Sequence, residues 1–409
     1  MVGVEELRDL SALVVPRVGE VVEDPSDLVE PVRLVDGSCV VVEAVRAYLR
    51  DLRASGRSAA SLRSYALALL RWFRFLWAVE VAWDRAGRAE ARDFMVWLST
   101  VEKPVRPRRA GTPRPGSVNA VTRKAYPGTR YAPRTRRHNR AVVNAFYEFH
   151  RDWGTGPLVN PMPGRQGMRD PRADVHHNPE EAFGRGRVSV YQPRVPRREP
   201  RAMSDSAFDE VFAALSCDRD RAIAAFYVST GARAAELLGV TCDRVDIGQQ
   251  LVGVIRKGSG DLQWLPAMPD AFVWLQRYRQ GLREQVPSGA GDAVWWTRRR
   301  PWRPLTYPAM RAVLVRVNQQ LGTNWTLHDL RHTAARRMVK DPRLTLPDVQ
   351  WLLGHAHLTT TQVYLEPRLE EVVERCRTHH RQRSEPVAPP APAEGYRPEV
   401  MAALLGVAR

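Results

Sequence analysis

Between residues 160 and 201 the chain loses every periodicity. The stretch is rich in Pro and Arg, and it offers no apolar run at strand or helix spacing that could bury a face. It therefore divides 409 residues into two segments, each long enough to close a core of its own. This reading gives an N-terminal extension over 1–39, a first domain over 40–155, a linker over 156–202, a second domain over 203–385 and a tail over 386–409.

The first segment is patterned for helices. Val41, Val45, Tyr48, Leu49 and Leu52 recur at helical spacing, and Gly56 follows as a stop signal. A second helix begins near Ser58 and carries Leu62, Tyr65, Leu69, Trp72, Phe73 and Leu76 on one broad face. A third covers roughly 90–98 and a fourth roughly 134–153, with Val142, Phe146, Phe149 and Trp153 inward and Arg134, Arg136, Arg137 and Arg140 near its start. Between the last two lies a loop at 101–132. Residues 101–140 hold twelve Lys and Arg against one acid, Glu102, which suits either a solvated loop or an arm that tracks phosphates.

The second segment opens on "SDSAFDE", with Ser206 and Asp209 as the expected capping box. Helical spacing continues through 222–228 and 233–238. The period then changes: "LVGVIRKGSGDLQWLPA" reads as two short strands around a Gly-Ser-Gly turn. Helices resume over 270–285, 307–320, 326–339 and 347–353, so the fold class is mainly α with a small antiparallel β-sheet. The tail carries "EVMAALLGV", whose apolar face suits docking on a neighbouring protomer as well as a loose terminus or one folded back in cis.

Charge narrows the partner. Sixty-two Lys and Arg against 45 Asp and Glu leave a formal charge of +17, which favours a polyanion, with nucleic acid ahead of an anionic membrane surface. Four scattered cysteines without a CxxC pair, an acidic start and no long apolar run are read as a cytoplasmic protein without a membrane partner.

The candidate chemistry sits in four short motifs. "LHDLRHTAARR" sets His328, Arg331 and His332 within about one helical turn. Imidazoles at i and i+4 have the spacing of a helical zinc site. Asp329 stands where that motif carries its glutamate base, so a metal-dependent hydrolase on His328 and His332 is the weaker reading. His328 and Arg331 at i, i+3 instead present an imidazole donor beside a guanidinium fork, a pairing that suits a phosphate oxygen. Arg233 in "TGARAAELLGV" is by itself an ordinary surface arginine, but its apolar neighbours suggest a buried pair with Glu236. Lys257 at the hairpin tip can be a solubilising residue or an amine that swings into a neighbouring site. "LLGHAHLTTTQVY" adds His355 at a helix end and Tyr364 nine residues on, where a tyrosine could equally be packing.

Taken together these residues share one economical use. Arg233, Arg331 and His328 can neutralise the non-bridging oxygens of a phosphodiester, and Lys257 can protonate a departing sugar oxygen. Tyr364 is then the nucleophile. A phenol is weak near its ordinary pKa of about 10, and the cations around it are expected to favour the phenolate. No metal or other cofactor is expected, because no carboxylate cluster in the sequence suits Mg²⁺.

In order and spacing, Arg233, Lys257, "HDLRH", "LLGH" and Tyr364 resemble the tyrosine recombinases, the phage-integrase and Xer-type enzymes. The resemblance is strong over 203–377 and weaker over 40–153, where "APRTRRHNRAVVNAFYEFH" resembles the family's core-binding domain. It implies an all-helical core-binding domain plus a mixed α+β catalytic domain, closing as a C-shaped clamp on double-stranded DNA. It also implies a tetramer on two sites, strand exchange through a 3′-phosphotyrosine, service to a mobile element and an accessory excision factor. Arg233, His328 and Arg331 would hold the scissile phosphate, Lys257 would be the general acid, His355 would support phosphate and nucleophile, and Tyr364 would carry the covalent link. Arg134, Arg136, Arg137 and Arg140 are the expected DNA-binding residues. The sequence departs from the pattern where Arg256 precedes Lys257 in place of the usual glycine, where Pro266 follows the lysine by nine residues, and in the length of the 101–132 loop. Rival classes are a non-catalytic DNA-binding relative and a type IB topoisomerase.

Overall fold

A computed structural model describes residues 8–104, 113–162, 164–166, 187–196, 201–282, 285–365, 369–384 and 397–404. Most of the 160–201 stretch, part of the basic loop and the "PVAPPAPAE" segment lie outside these residues. The chain forms two compact units, Met1–Arg198 and Glu199–Arg409. It is mainly helical with small antiparallel sheets.

In the first unit, α1 (Glu43–Ala54), α2 (Ala59–Ala78), α3 (Arg88–Thr100) and α4 (Pro133–Asp152) surround an aromatic core. α2 starts at Ser58, whose side chain accepts from the Ser61 amide and satisfies one of the orphan N–H groups of the first turn. Trp72 is fully buried at the centre and donates to Tyr147 Oη at 3.0 Å; that hydroxyl donates onward to the Trp83 carbonyl at 2.8 Å. Both polar tips are thus paired, which burial of Trp and Tyr requires. The region read as an extension adds structure to this unit. β1 (Glu20–Glu23) and β2 (Val32–Val35) form an antiparallel hairpin, and Val32 and Leu34 of β2 enter the helical core. Within the stretch read as a linker, β3 (Gly164–Gln166) pairs antiparallel with β4 (Arg187–Ser189).

The second unit is built around α6 (Asp218–Thr230), nearly all of whose residues are buried. From Ala222 to Val228 every residue is buried, as suits a helix whose apolar stretch lies in the middle of a core. α5 (Asp205–Ala213), α8 (Pro269–Gly281), α9 (Tyr307–Leu321), α10 (Leu327–Lys340) and α11 (Leu346–Leu353) share its core cluster. The cap of α5 is not the expected box: Ser204 is the N-cap and accepts from the Ala207 amide, which starts the helix two residues earlier. Between α6 and α8 lie the short helix α7 (Ala234–Leu238) and a three-stranded antiparallel sheet of β5 (Val245–Asp246), β6 (Leu251–Ile255) and β7 (Leu262–Pro266), ordered β5-β6-β7. α12 (Leu358–Gln362) and a 3-10 turn at Val363–Leu365 follow α11, then α13 (Leu369–Ser384) and α14 (Pro398–Leu404). No helix among the described residues is long and apolar enough to cross a membrane.

Candidate active site

Three helix ends make the site. α10 begins at Thr326 in a reciprocal box: Thr326 Oγ1 accepts from the Asp329 amide, and Asp329 Oδ2 accepts from the Thr326 amide at 2.8 Å. That start places His328, Arg331 and His332 in the first turns of α10. α6 and α11 both end at glycines in the left-handed region, Gly231 at φ +63° and Gly354 at φ +60°. A Cβ on Gly231 would lie 2.7 Å from Leu353 Cδ2, and one on Gly354 would lie 2.9 Å from Arg256 Cζ, so both turns require glycine for space as well as for conformation.

These two helix C-termini turn their orphan carbonyls on arginine. Arg331, only 3% exposed, donates through Nη1 to the Gly231 carbonyl and through Nη2 to the Leu353 carbonyl, both at 2.6 Å. Arg256 Nη2 donates to the Leu352 carbonyl at 2.6 Å, and Arg233 Nη2 to the Gly354 carbonyl at 3.1 Å. The negative end of a helix dipole makes such carbonyls strong acceptors for cations. Three guanidiniums thus gather at the end of α11.

One carboxylate holds the other side of the cluster. Glu236 Oε1 accepts from Arg233 Nη1 at 2.7 Å and from the Lys257 amide at 3.0 Å. Its Oε2 accepts from the Arg233 amide at 2.8 Å and from Arg256 Nη1 at 3.1 Å. Burial alone would raise this carboxyl, but the two amides and the Arg233 guanidinium outweigh it and hold Glu236 below its ordinary range. The expected Arg233–Glu236 pair is therefore present, with the acid buried and Arg233 about a third exposed. Arg256, where the resemblance leads one to expect glycine, is a buried member of the same network and also donates to Gln263 Oε1 at 2.5 Å. With one carboxylate among three guanidiniums, the pocket keeps a positive excess. Burial, and then repulsion from Arg233, pulls Arg331 down to about 10.

His355 joins this cluster to the tyrosine. Its Nε2 lies 3.0 Å from Arg331 Nη2 and its Nδ1 lies 2.9 Å from Thr361 Oγ1. A guanidinium can only donate, so Nε2 accepts and Nδ1 carries the proton. Burial, reinforced by Arg331, Arg233 and Arg256, lowers His355 to about 4 and keeps it neutral. The Tyr364 ring lies parallel to that of His355, with centroids 6.4 Å apart.

Two features were not foreseen. Tyr364 is 7% exposed, and its burial raises the phenol above its ordinary pKa, outweighing Arg331 and Arg233. The expectation that the cations favour a resting phenolate is thus corrected: they are close enough to act, but desolvation is the larger effect. The phenol also has a partner, since its hydroxyl lies 2.8 Å from His332 Nδ1. His332 was read only as half of a zinc pair. Its place four residues after His328 was visible in the sequence, but its contact with Tyr364 spans 32 residues and appears only in the fold. His328 is exposed, with its ring centroid 4.1 Å from that of His332. Lys257 is exposed just beyond the β6–β7 ladder, its amide fastened by Glu236.

In the first unit, Arg134 and Arg137 are exposed at the start of α4 and Arg136 is half-buried. Arg140 does not share that face: it is buried, and its Nε donates to the Val190 carbonyl at 2.7 Å.

Residues 207–371 match the Phage integrase family. The chain is 30% identical over 190 residues to tyrosine recombinase XerD of Pseudomonas aeruginosa, covering 43% of this chain and 61% of that protein. It is 29% identical over 201 residues to tyrosine recombinase XerD of Yersinia pestis, covering 46% and 64%. It thus spans less than two thirds of either relative. Among solved structures, the fold is similar to XerH site-specific recombinase bound to palindromic difH substrate (TM-score 0.54, 14% identity, 84% of this chain and 85% of that one). It is also similar to a lambda integrase dimer bound to a COC' core site (TM-score 0.53, 14% identity, 90% and 98%). Over residues 207–371 the chain is thus similar to the phage integrase family.

Proposed function

We propose that this chain is a site-specific recombinase that cuts and rejoins duplex DNA through a 3′-phosphotyrosine at Tyr364. The observation that carries the reading is the convergence on one tyrosine: its hydroxyl reaches His332, and its ring lies against a histidine bonded to Arg331.

Arg233, Arg331 and His328 take the non-bridging oxygens of the scissile phosphate, and the positive excess of the pocket stabilises the charge that builds there. Because the phenol is neutral at rest, its proton must leave as Tyr364 attacks phosphorus. His332 Nδ1 is the acceptor within reach. The bond from phosphorus to the 5′ oxygen breaks, and Lys257 protonates that oxygen. One phosphodiester is exchanged for another, so the free 5′-hydroxyl can reverse the step without an external energy source. His355, neutral and accepting from Arg331, acts by orienting that guanidinium. The same reading takes the working assembly to be a tetramer on two sites, serving a mobile element.

A nicked duplex that loses a short 5′-hydroxyl fragment on cleavage should trap a covalent protein–DNA complex. Tyr364→Phe should abolish the complex, and EDTA should leave it unchanged. Cleavage that EDTA stops and Tyr364→Phe does not would transfer the reading to a metal-dependent hydrolase on His328 and His332. Specific binding without any adduct would indicate a non-catalytic relative.

A further inference from the structure

The connection between α3 and α4 runs from Val101 to Ala132 in a chain whose other helix–helix connections in this unit are short. Helix–helix connections in compact domains usually take about 2–8 residues, and much longer ones are functional or disordered. The described part of this one is ordered. At its base Glu102 bridges Arg130, and the Lys103 amide donates to the Thr129 carbonyl at 2.8 Å. Further out the chain doubles back as a hairpin: the Tyr126 amide donates to the Ser117 carbonyl at 2.8 Å, Val118 bridges Ala125, and the Asn119 amide donates to the Lys124 carbonyl at 2.9 Å.

Asn119 is the keystone of this hairpin and is buried within it. Its Oδ1 accepts from the amides of Val121 at 3.0 Å and Thr122 at 2.8 Å and from Thr122 Oγ1 at 3.1 Å, while its Nδ2 donates to Tyr126 Oη at 3.0 Å. Arg123 closes the tip in the left-handed region at φ +54°, a conformation that strains a residue with a Cβ. Fixing its backbone costs conformational entropy as well. The arm is held in shape although Arg114, Arg123 and Arg130, all exposed, place like charges along it. Val118 and Val121, 60% and 62% exposed, stand beside them.

We propose that this arm, residues 113–131, is a preformed duplex-DNA contact, with Arg114, Arg123 and Arg130 on backbone phosphates. The proposal rests on the reading of DNA as the substrate. An ordered ridge of cations meets a polyanion without a further loss of backbone freedom, and phosphate contact removes the repulsion that the free arm carries.

Binding of a random-sequence DNA duplex is titrated against salt for the full chain and for the triple variant Arg114→Ala, Arg123→Gly, Arg130→Ala. Glycine at 123 keeps the left-handed turn without strain, so the variant should melt at or near the parent temperature. The proposal expects several-fold weaker binding and a log–log salt slope shallower by about 2–3, because each phosphate contact contributes about 0.9. A control variant, Arg17→Ala, Arg57→Ala, Arg85→Ala, removes the same charge from exposed positions elsewhere in the unit and should bind like the parent. Unchanged affinity and slope in the folded arm variant, or an equal loss in the control, overturns the arm's role and leaves the DNA reading standing. A parent protein that binds no duplex overturns both.

Discussion

The phenol of Tyr364 sits in surroundings that oppose its ionisation, which makes the fate of its proton a testable matter at single residues. His332→Ala should lower single-turnover cleavage by about 10²–10⁴-fold. The residual rate should climb with pH across the range where the parent is level, because the variant's phenol must ionise unaided from a pKa already raised by burial. Lys257→Ala should produce a loss of similar size, but a substrate with sulfur in place of the leaving 5′ oxygen should restore cleavage, since a thiolate departs without a proton. The sulfur substrate should not rescue His332→Ala. His355 gives a prediction on stability. The folded protein holds it at about 4 against an ordinary 6.5, so between those values the unfolded chain binds the extra proton. Stability is therefore lost as pH falls from 6.5 through 4, and His355→Gln, which still offers Arg331 an acceptor, should flatten that part of a denaturation-versus-pH curve. At this scale the sequence was legible in its residue types and blind to their environment: motif spacing singled out Tyr364 and Arg331, while the sign of the shift on Tyr364 depended on burial.

At the scale of elements, the C-terminus of α11 does more than carry His355. Its last carbonyls accept from Arg233, Arg256 and Arg331, and Glu236 ties two of those arginines and the Lys257 amide to the N-terminus of α7. Arg256 thereby links the hairpin that bears Lys257 to the helix end that precedes His355. Glu236→Gln should leave a buried guanidinium without its counter-charge, at a cost of about 3–5 kcal/mol read from denaturant unfolding. The helices of this region and the β6–β7 hairpin were legible from spacing and turn residues. The role of Arg256 was not, because its partners Glu236 and Leu352 lie 20 and 96 residues away.

At the scale of the whole molecule, two separate hydrophobic clusters fill the two units, and every candidate catalytic residue lies in the second. A fragment of residues 199–409 should accordingly fold alone and melt in one cooperative calorimetric transition; a fragment without a transition would show that its core depends on the first unit. The loss of periodicity at 160–201 suggested a division of the chain, yet Met162 of that stretch is buried in the first core and Tyr191 packs against it. The sequence did not announce the β1–β2 hairpin, whose short strands reach the helical core through Val32 and Leu34, with Val21 packed against it. By itself the sequence determined the helical and strand periods, the basic balance and the order of Arg233, Lys257, His328, Arg331, His355 and Tyr364, all of which are written in local spacing. The tertiary structure alone decided that Arg140 turns inward, that Arg256 joins the arginine cluster and that His332 meets Tyr364. Such contacts depend on which helix ends are packed together, and no local rule of spacing carries that information.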